Sequence, residues 1–97
     1  MRSAAATLPA MTESEARRLL LTRVGPLPPD QVLVAHEVPA GWSLHVQSRE
    51  YVETGEFAAQ LIGQPMFLVR ADGSIAEFPS HPEGYAAFEA AAGLTSG

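Results

Sequence analysis

Residues 41–57 read GWSLHVQSREYVETGEF, and the first half of that stretch decides the fold. Trp42, Leu44 and Val46 alternate with Ser43, His45 and Gln47. Successive side chains of a β-strand point to opposite faces, so the pattern predicts a strand with one apolar and one polar face. Upstream, residues 31–38 (QVLVAHEV) are short and rich in β-branched side chains, and Pro39-Ala40-Gly41 supplies a turn. Two strands joined that tightly pair as an antiparallel hairpin.

The pattern extends in both directions. Ser48 to Gly55 is read as the end of the strand and a change of chain direction. Glu56 to Ile62 fits a two-turn helix that places Phe57 against Leu61, with Gly63 as its stop. Residues 65–70 (PMFLVR) form a further strand, Asp72-Gly73 a hairpin turn, and Ile75 to Phe78 the returning strand. At the N-terminal end, Thr12-Glu13-Ser14-Glu15 has capping-box spacing, and Ala16, Leu19, Leu20 and Val24 recur on one helical face. Arg17, Arg18 and Arg23 follow the acidic first turn, towards the end where the dipole favours positive charge, and Gly25-Pro26 ends the helix. At the other end, Ser80-His81-Pro82-Glu83 is read as a second capping box. The helix it opens carries Tyr85, Phe88 and Ala92 at spacings of three and four, is weakened by Gly84 and stops at Gly93.

The predicted order is helix, antiparallel β-hairpin, short helix, second β-hairpin, C-terminal helix. That is an α+β fold: a four-stranded antiparallel sheet whose apolar face, lined by Trp42, Leu44 and Val46, is covered by the terminal helices. Residues 1–10, small and Ala-rich, are read as a flexible N-terminal extension, with Met11 an alternative start to Met1; residues 11–97 are read as a single domain.

Composition narrows the function. With 97 residues, 46% hydrophobic and 18% charged, the chain is rich enough in apolar side chains to bury one core and too sparsely charged to be disordered throughout. Its net charge of −5 opposes binding to nucleic acid or anionic membranes, whose affinities rest on Lys and Arg. An acidic surface suits a basic protein partner, and it also serves plain solubility. There is no cysteine, so disulfides, thiolate nucleophiles and thiolate metal sites are excluded. No apolar run approaches the ~20 residues of a membrane span, and the first ten residues lack the apolar centre of a signal peptide. The expected location is cytoplasmic.

No catalytic constellation emerges. His36, His45 and His81 fall on two strands and a helix start, without the spacing of a metal-binding helix. Ser43, Ser48 and Ser80 have ordinary strand-end or capping roles, and no nucleophile elbow is present. Gly55, Gly63 and Gly73 are isolated turn residues, so no phosphate-cradling loop exists. Glu50, Glu53 and Glu56 crowd one short polar segment, where carboxylates are solvated or meet a partner's cations more often than they perform acid–base chemistry. The chain is therefore read as a binder: not an enzyme, and without metal or cofactor.

Gly41-Trp42 at a strand start, followed by Ser48-Arg49-Glu50-Tyr51-Val52-Glu53-Thr54-Gly55-Glu56-Phe57, resembles the YrhB-like, or immunity protein 35, family of small bacterial proteins. The resemblance spans about residues 11–91. It departs at Gln64-Pro65-Met66, where the family has a Gly-Asn-Gly-Pro-like link, and at His45 and Gln47, positions often aromatic there. It implies an immunity protein of a bacterial polymorphic-toxin system that binds and neutralises a cognate toxin domain. It also implies, as an alternative, a small chaperone-like protein that suppresses aggregation. The partner-binding residues expected on the first reading are Trp42, His45, Arg49, Glu50, Tyr51, Glu53 and Glu56. Trp42 has a simpler place in the core, beside Leu44 and Val46, and Tyr51 is open between core and interface.

Overall fold

The structure, a computed structural model, describes residues 11–94, so the expected extension over residues 1–10 lies outside the described residues. Helix α1 (Glu13–Val24) leads to strands β1 (Gln31–Val38) and β2 (Gly41–Ser48). A short helix α2 (Arg49–Thr54) follows, then strands β3 (Met66–Arg70) and β4 (Ile75–Phe78), and helix α3 (Pro82–Ala92) closes the order. The four strands form one antiparallel sheet in the order β1-β2-β3-β4, the α+β arrangement expected.

The first capping box is present: Glu15 N–H donates to Thr12 Oγ1 at 3.1 Å, and Thr12 N–H donates to the Glu15 carboxylate at 2.9 Å. Those bonds to the ionised form, the backbone one foremost, hold the Glu15 carboxyl below the usual carboxylate range. From this start α1 lays Ala16 and Leu20 onto Leu33, Leu44, Phe67 and Val69, with Trp42, Val46 and Ile75 packed around them.

Helix α3 does not join α1 on that face. Phe88 and Ala92 pack with Leu68, Met66 and Phe78 on the opposite side of the sheet, where Phe88 meets Phe78 edge-on with ring centroids 5.7 Å apart. The expectation that both terminal helices cover one face is thus corrected. The reason lies in β3: Met66-Phe67-Leu68-Val69 is apolar without alternation, the mark of a strand buried on both faces. Strand β2 alternates strictly, and its polar set shares the α3 side, because Ser43 pairs with Leu68. Helix α3 therefore covers the β3–β4 half of that face and leaves the β1–β2 half to Val32, Val34, His36, Ser43, His45 and Gln47.

Two further expectations change. The short helix occupies residues 49–54 rather than 56–62. Ser48 Oγ accepts from Tyr51 N–H at 2.9 Å to start it, and Gly55 N–H returns to the Tyr51 carbonyl at 2.8 Å to end it. Residues 57–59 form only a single 3-10 turn, and Phe57 meets the Tyr51 ring at 6.4 Å instead of packing on Leu61 as a helical neighbour. The α3 start is not a Ser–Glu capping box either: His81 is the cap, its Nδ1 accepting from Gly84 N–H at 3.1 Å, with Pro82 in the first turn. Nor is Gly84 merely a weak helix residue. It is buried, and a Cβ there would collide with the Pro79 carbonyl oxygen, so the close approach of α3 to the chain leaving β4 requires glycine.

Candidate functional site

The uncovered half of the α3-side face is where the sheet presents polar chemistry. Cross-strand pairs Val32–Gln47, Val34–His45 and His36–Ser43 line it. The His36 and His45 rings lie nearly parallel, with centroids 6.5 Å apart and planes inclined by 20°. Partial burial first, and the neighbouring His36 second, lower the His45 pKa below the usual imidazole range, so His45 resists protonation.

Between this half-face and α3 runs a cleft of about 290 Å³, lined by His45, Gln47, Leu61, Ile62, Met66 and Tyr85 among others. One wall is the segment linking α2 to β3, and Gln47 holds it in place. The Gln47 side chain is 5% exposed. Its Oε1 accepts from Leu61 N–H at 2.7 Å and from Ser48 N–H at 2.9 Å, and its Nε2 donates to the Leu61 carbonyl at 3.4 Å. A side-chain amide thus makes the pair of bonds that a neighbouring strand would make, and it satisfies its own buried polar atoms in doing so. The same segment leaves Phe57 77% and Ile62 83% exposed, while Tyr85 across the cleft is 48% exposed.

The expected binding residues divide between places. His45 lies on the cleft floor. Glu50 and Glu53 are exposed on α2, and Glu56 is exposed just before the 3-10 turn. Tyr51 is half-buried against Phe57. Arg49 holds the start of α2 to the chain entering β1: its Nε donates to the Pro29 carbonyl at 3.1 Å and its backbone N–H to the Asp30 carbonyl at 2.8 Å. Trp42 is on the other face altogether, packed against the α1 core, with its indole N–H donating to the Met11 carbonyl at 2.8 Å. The structure gives it the core place that its alternation with Leu44 and Val46 offered. Gln47, Phe57 and Ile62 are not among the expected binding residues, although Phe57 closes the 41–57 stretch that carries the resemblance. The signal for Gln47 was present: a polar residue two positions beyond His45, on a face whose neighbouring strand is apolar.

Among the described residues no three His, Asp or Glu side chains gather to hold a metal ion, and no helix is long and apolar enough to cross a membrane. The polar groups at the cleft are an imidazole, carboxamides, backbone groups and hydroxyls, suited to hydrogen bonding.

A model of the family described as immunity protein 35 matches residues 14–91. The chain belongs to the immunity protein 35 family. The match runs from the first turn of α1 to the last of α3, so the immunity-protein unit includes both helices, the whole sheet and the open half-face. Comparison with curated proteins yields no match, and comparison with solved structures yields none either.

Proposed function

We propose that this chain neutralises a cognate bacterial toxin domain by binding it directly and covering the surface the toxin needs. The observation that supports this most is the half-open sheet face. A four-stranded sheet covered by α1 on one side is covered by α3 on only half of the other, and a cleft and exposed apolar side chains border the remainder. Exposed apolar groups beside oriented polar ones are the ordinary composition of a protein interface.

Charge supports the same reading. Eleven Asp and Glu outnumber six Lys and Arg, and the only ion pair among the described residues is Arg17–Glu13. The net charge of −5 makes the field that an approaching protein meets predominantly negative, and a basic toxin surface would be drawn in faster.

Co-expression with each product of the neighbouring genes that arrests growth tests the reading. Growth is expected to be restored and the two proteins to co-purify. Failure of both would rule it out. A second reading, suppression of client aggregation, draws on the same exposed Phe57 and Ile62. It predicts that unrelated heated proteins stay soluble at modest molar ratios of this chain, and that Phe57→Ser with Ile62→Ser abolishes the effect.

A further inference from the structure

We infer that the contact surface is the crest formed by α2 and the segment after it, and that its complement on the toxin is a basic patch with apolar hollows for Phe57 and Ile62. This rests on the toxin-neutralising reading and adds to it a place and a partner chemistry.

The crest is built to be presented. Folding brings most large apolar side chains out of water, yet Val52, Phe57 and Ile62 stand 52%, 77% and 83% exposed within one short stretch. A single exposed apolar residue is common; three within a dozen positions, with exposed Tyr85 facing Ile62 across the cleft, form a surface with a use. The stretch is also fixed at both ends. Arg49 ties its start to Pro29 and Asp30, and Gln47 clamps Leu61, the residue before Ile62, through backbone bonds of 2.7 and 3.4 Å. A surface held in its binding shape loses less conformational freedom on association.

Charge selects the complement. Glu50, Glu53 and Glu56 are all exposed on the crest, and among the described residues no cation pairs with them. The guanidinium closest in sequence, that of Arg49, donates its Nε–H to the Pro29 carbonyl and forms no ion pair with them. A second copy of this chain would bring the same carboxylates to face one another, so like-charge repulsion opposes self-pairing here. Lys and Arg around an apolar hollow would satisfy both parts of the crest.

The test measures binding of a growth-arresting toxin domain, identified by that co-expression, to the full chain and three variants: Phe57→Ala with Ile62→Ala, Glu50→Gln with Glu53→Gln and Glu56→Gln, and Val24→Ala. Val24 is exposed at the far end of α1 and serves as the control. All substituted positions are exposed, and circular dichroism checks that each variant is folded. The apolar pair should weaken binding by about tenfold or more, as removal of interface anchors does. The glutamine variant should bind more slowly and lose most of the dependence on salt, and Val24→Ala should match the parent. Parent binding unaffected by the apolar pair would overturn the crest and leave the toxin-neutralising reading standing. Binding unaffected by the glutamines would overturn the basic complement. Absence of binding by the parent chain would remove both readings together. Light scattering before toxin is added covers the remaining occupant: a dimer that dissolves on Phe57→Ala with Ile62→Ala would assign the crest to a second copy and overturn the proposal.

Discussion

Gln47 carries more of the local structure than any other polar side chain on the open face. Buried and bonded to both backbone groups of Leu61, it fixes one wall of the cleft. Gln47→Ala leaves those groups without their partner and should cost about 1–3 kcal/mol. Amide exchange at Leu61 should then rise well above that of the β2 amides; an unchanged rate would show that the segment is held by other means. His45, two residues earlier, predicts a pH effect. Its folded pKa is lowered, so near and below about pH 6.5 the unfolded chain takes up the proton more readily than the native state. Stability should therefore fall as pH drops through that value, levelling once the native imidazole also protonates. His45→Gln should flatten this slope in urea denaturation series, and an identical slope would contradict the assignment. The carboxylates of Glu15 and Asp72, lowered foremost by backbone hydrogen bonds, act in a more acidic window: what they contribute is lost as pH falls through their folded values.

At the scale of elements, the position of α1 explains both sheet edges. β1 and β4 are the outer strands, and α1 reaches each with an arginine: Arg17 Nη1 donates to the Leu33 carbonyl at 2.7 Å, and Arg23 Nη1 to the Ile75 carbonyl at 3.2 Å. Unpaired edge carbonyls invite other strands, and a charged side chain over them discourages that. Arg17→Gln should cost about 1 kcal/mol and raise self-association, which concentration-dependent sedimentation would detect. Helix α3 makes a sharper prediction. Replacing a helical glycine with alanine ordinarily stabilises by about 0.5–1 kcal/mol. At Gly84 the sign should reverse, with a loss of about 2 kcal/mol, because the new Cβ collides with the Pro79 carbonyl. A gain in melting temperature would refute that packing. The strands, α1 and α3 were legible because alternation, caps and Gly-Pro stops act locally. The short helix was misplaced because its start depends on one Ser48 hydroxyl, and because Leu61, apolar and apparently helical, is drawn into an extended shape by a side chain fourteen residues away.

For the whole molecule, the strand order and α+β class follow from turns and alternation, but the placement of the terminal helices on opposite faces depends on a comparison between strands. β3 is apolar on both sides, and β2 on one. Read together, those two patterns locate the half-face that α3 leaves uncovered; read singly, they give a sheet with one covered side. The candidate site was legible in part for the same reason. His45 and the three glutamates announce themselves by residue type, whereas Phe57 and Ile62 resemble core residues until the fold leaves them in water. The proposed contact with a toxin domain is the crest together with the open half-face that borders it. Hydrogen exchange of the chain, alone and with the toxin domain, tests that claim most directly. Protection is predicted over residues 43–47 and 50–62, with α1 unchanged; protection confined to α1, with β2 and the crest unaffected, would contradict it.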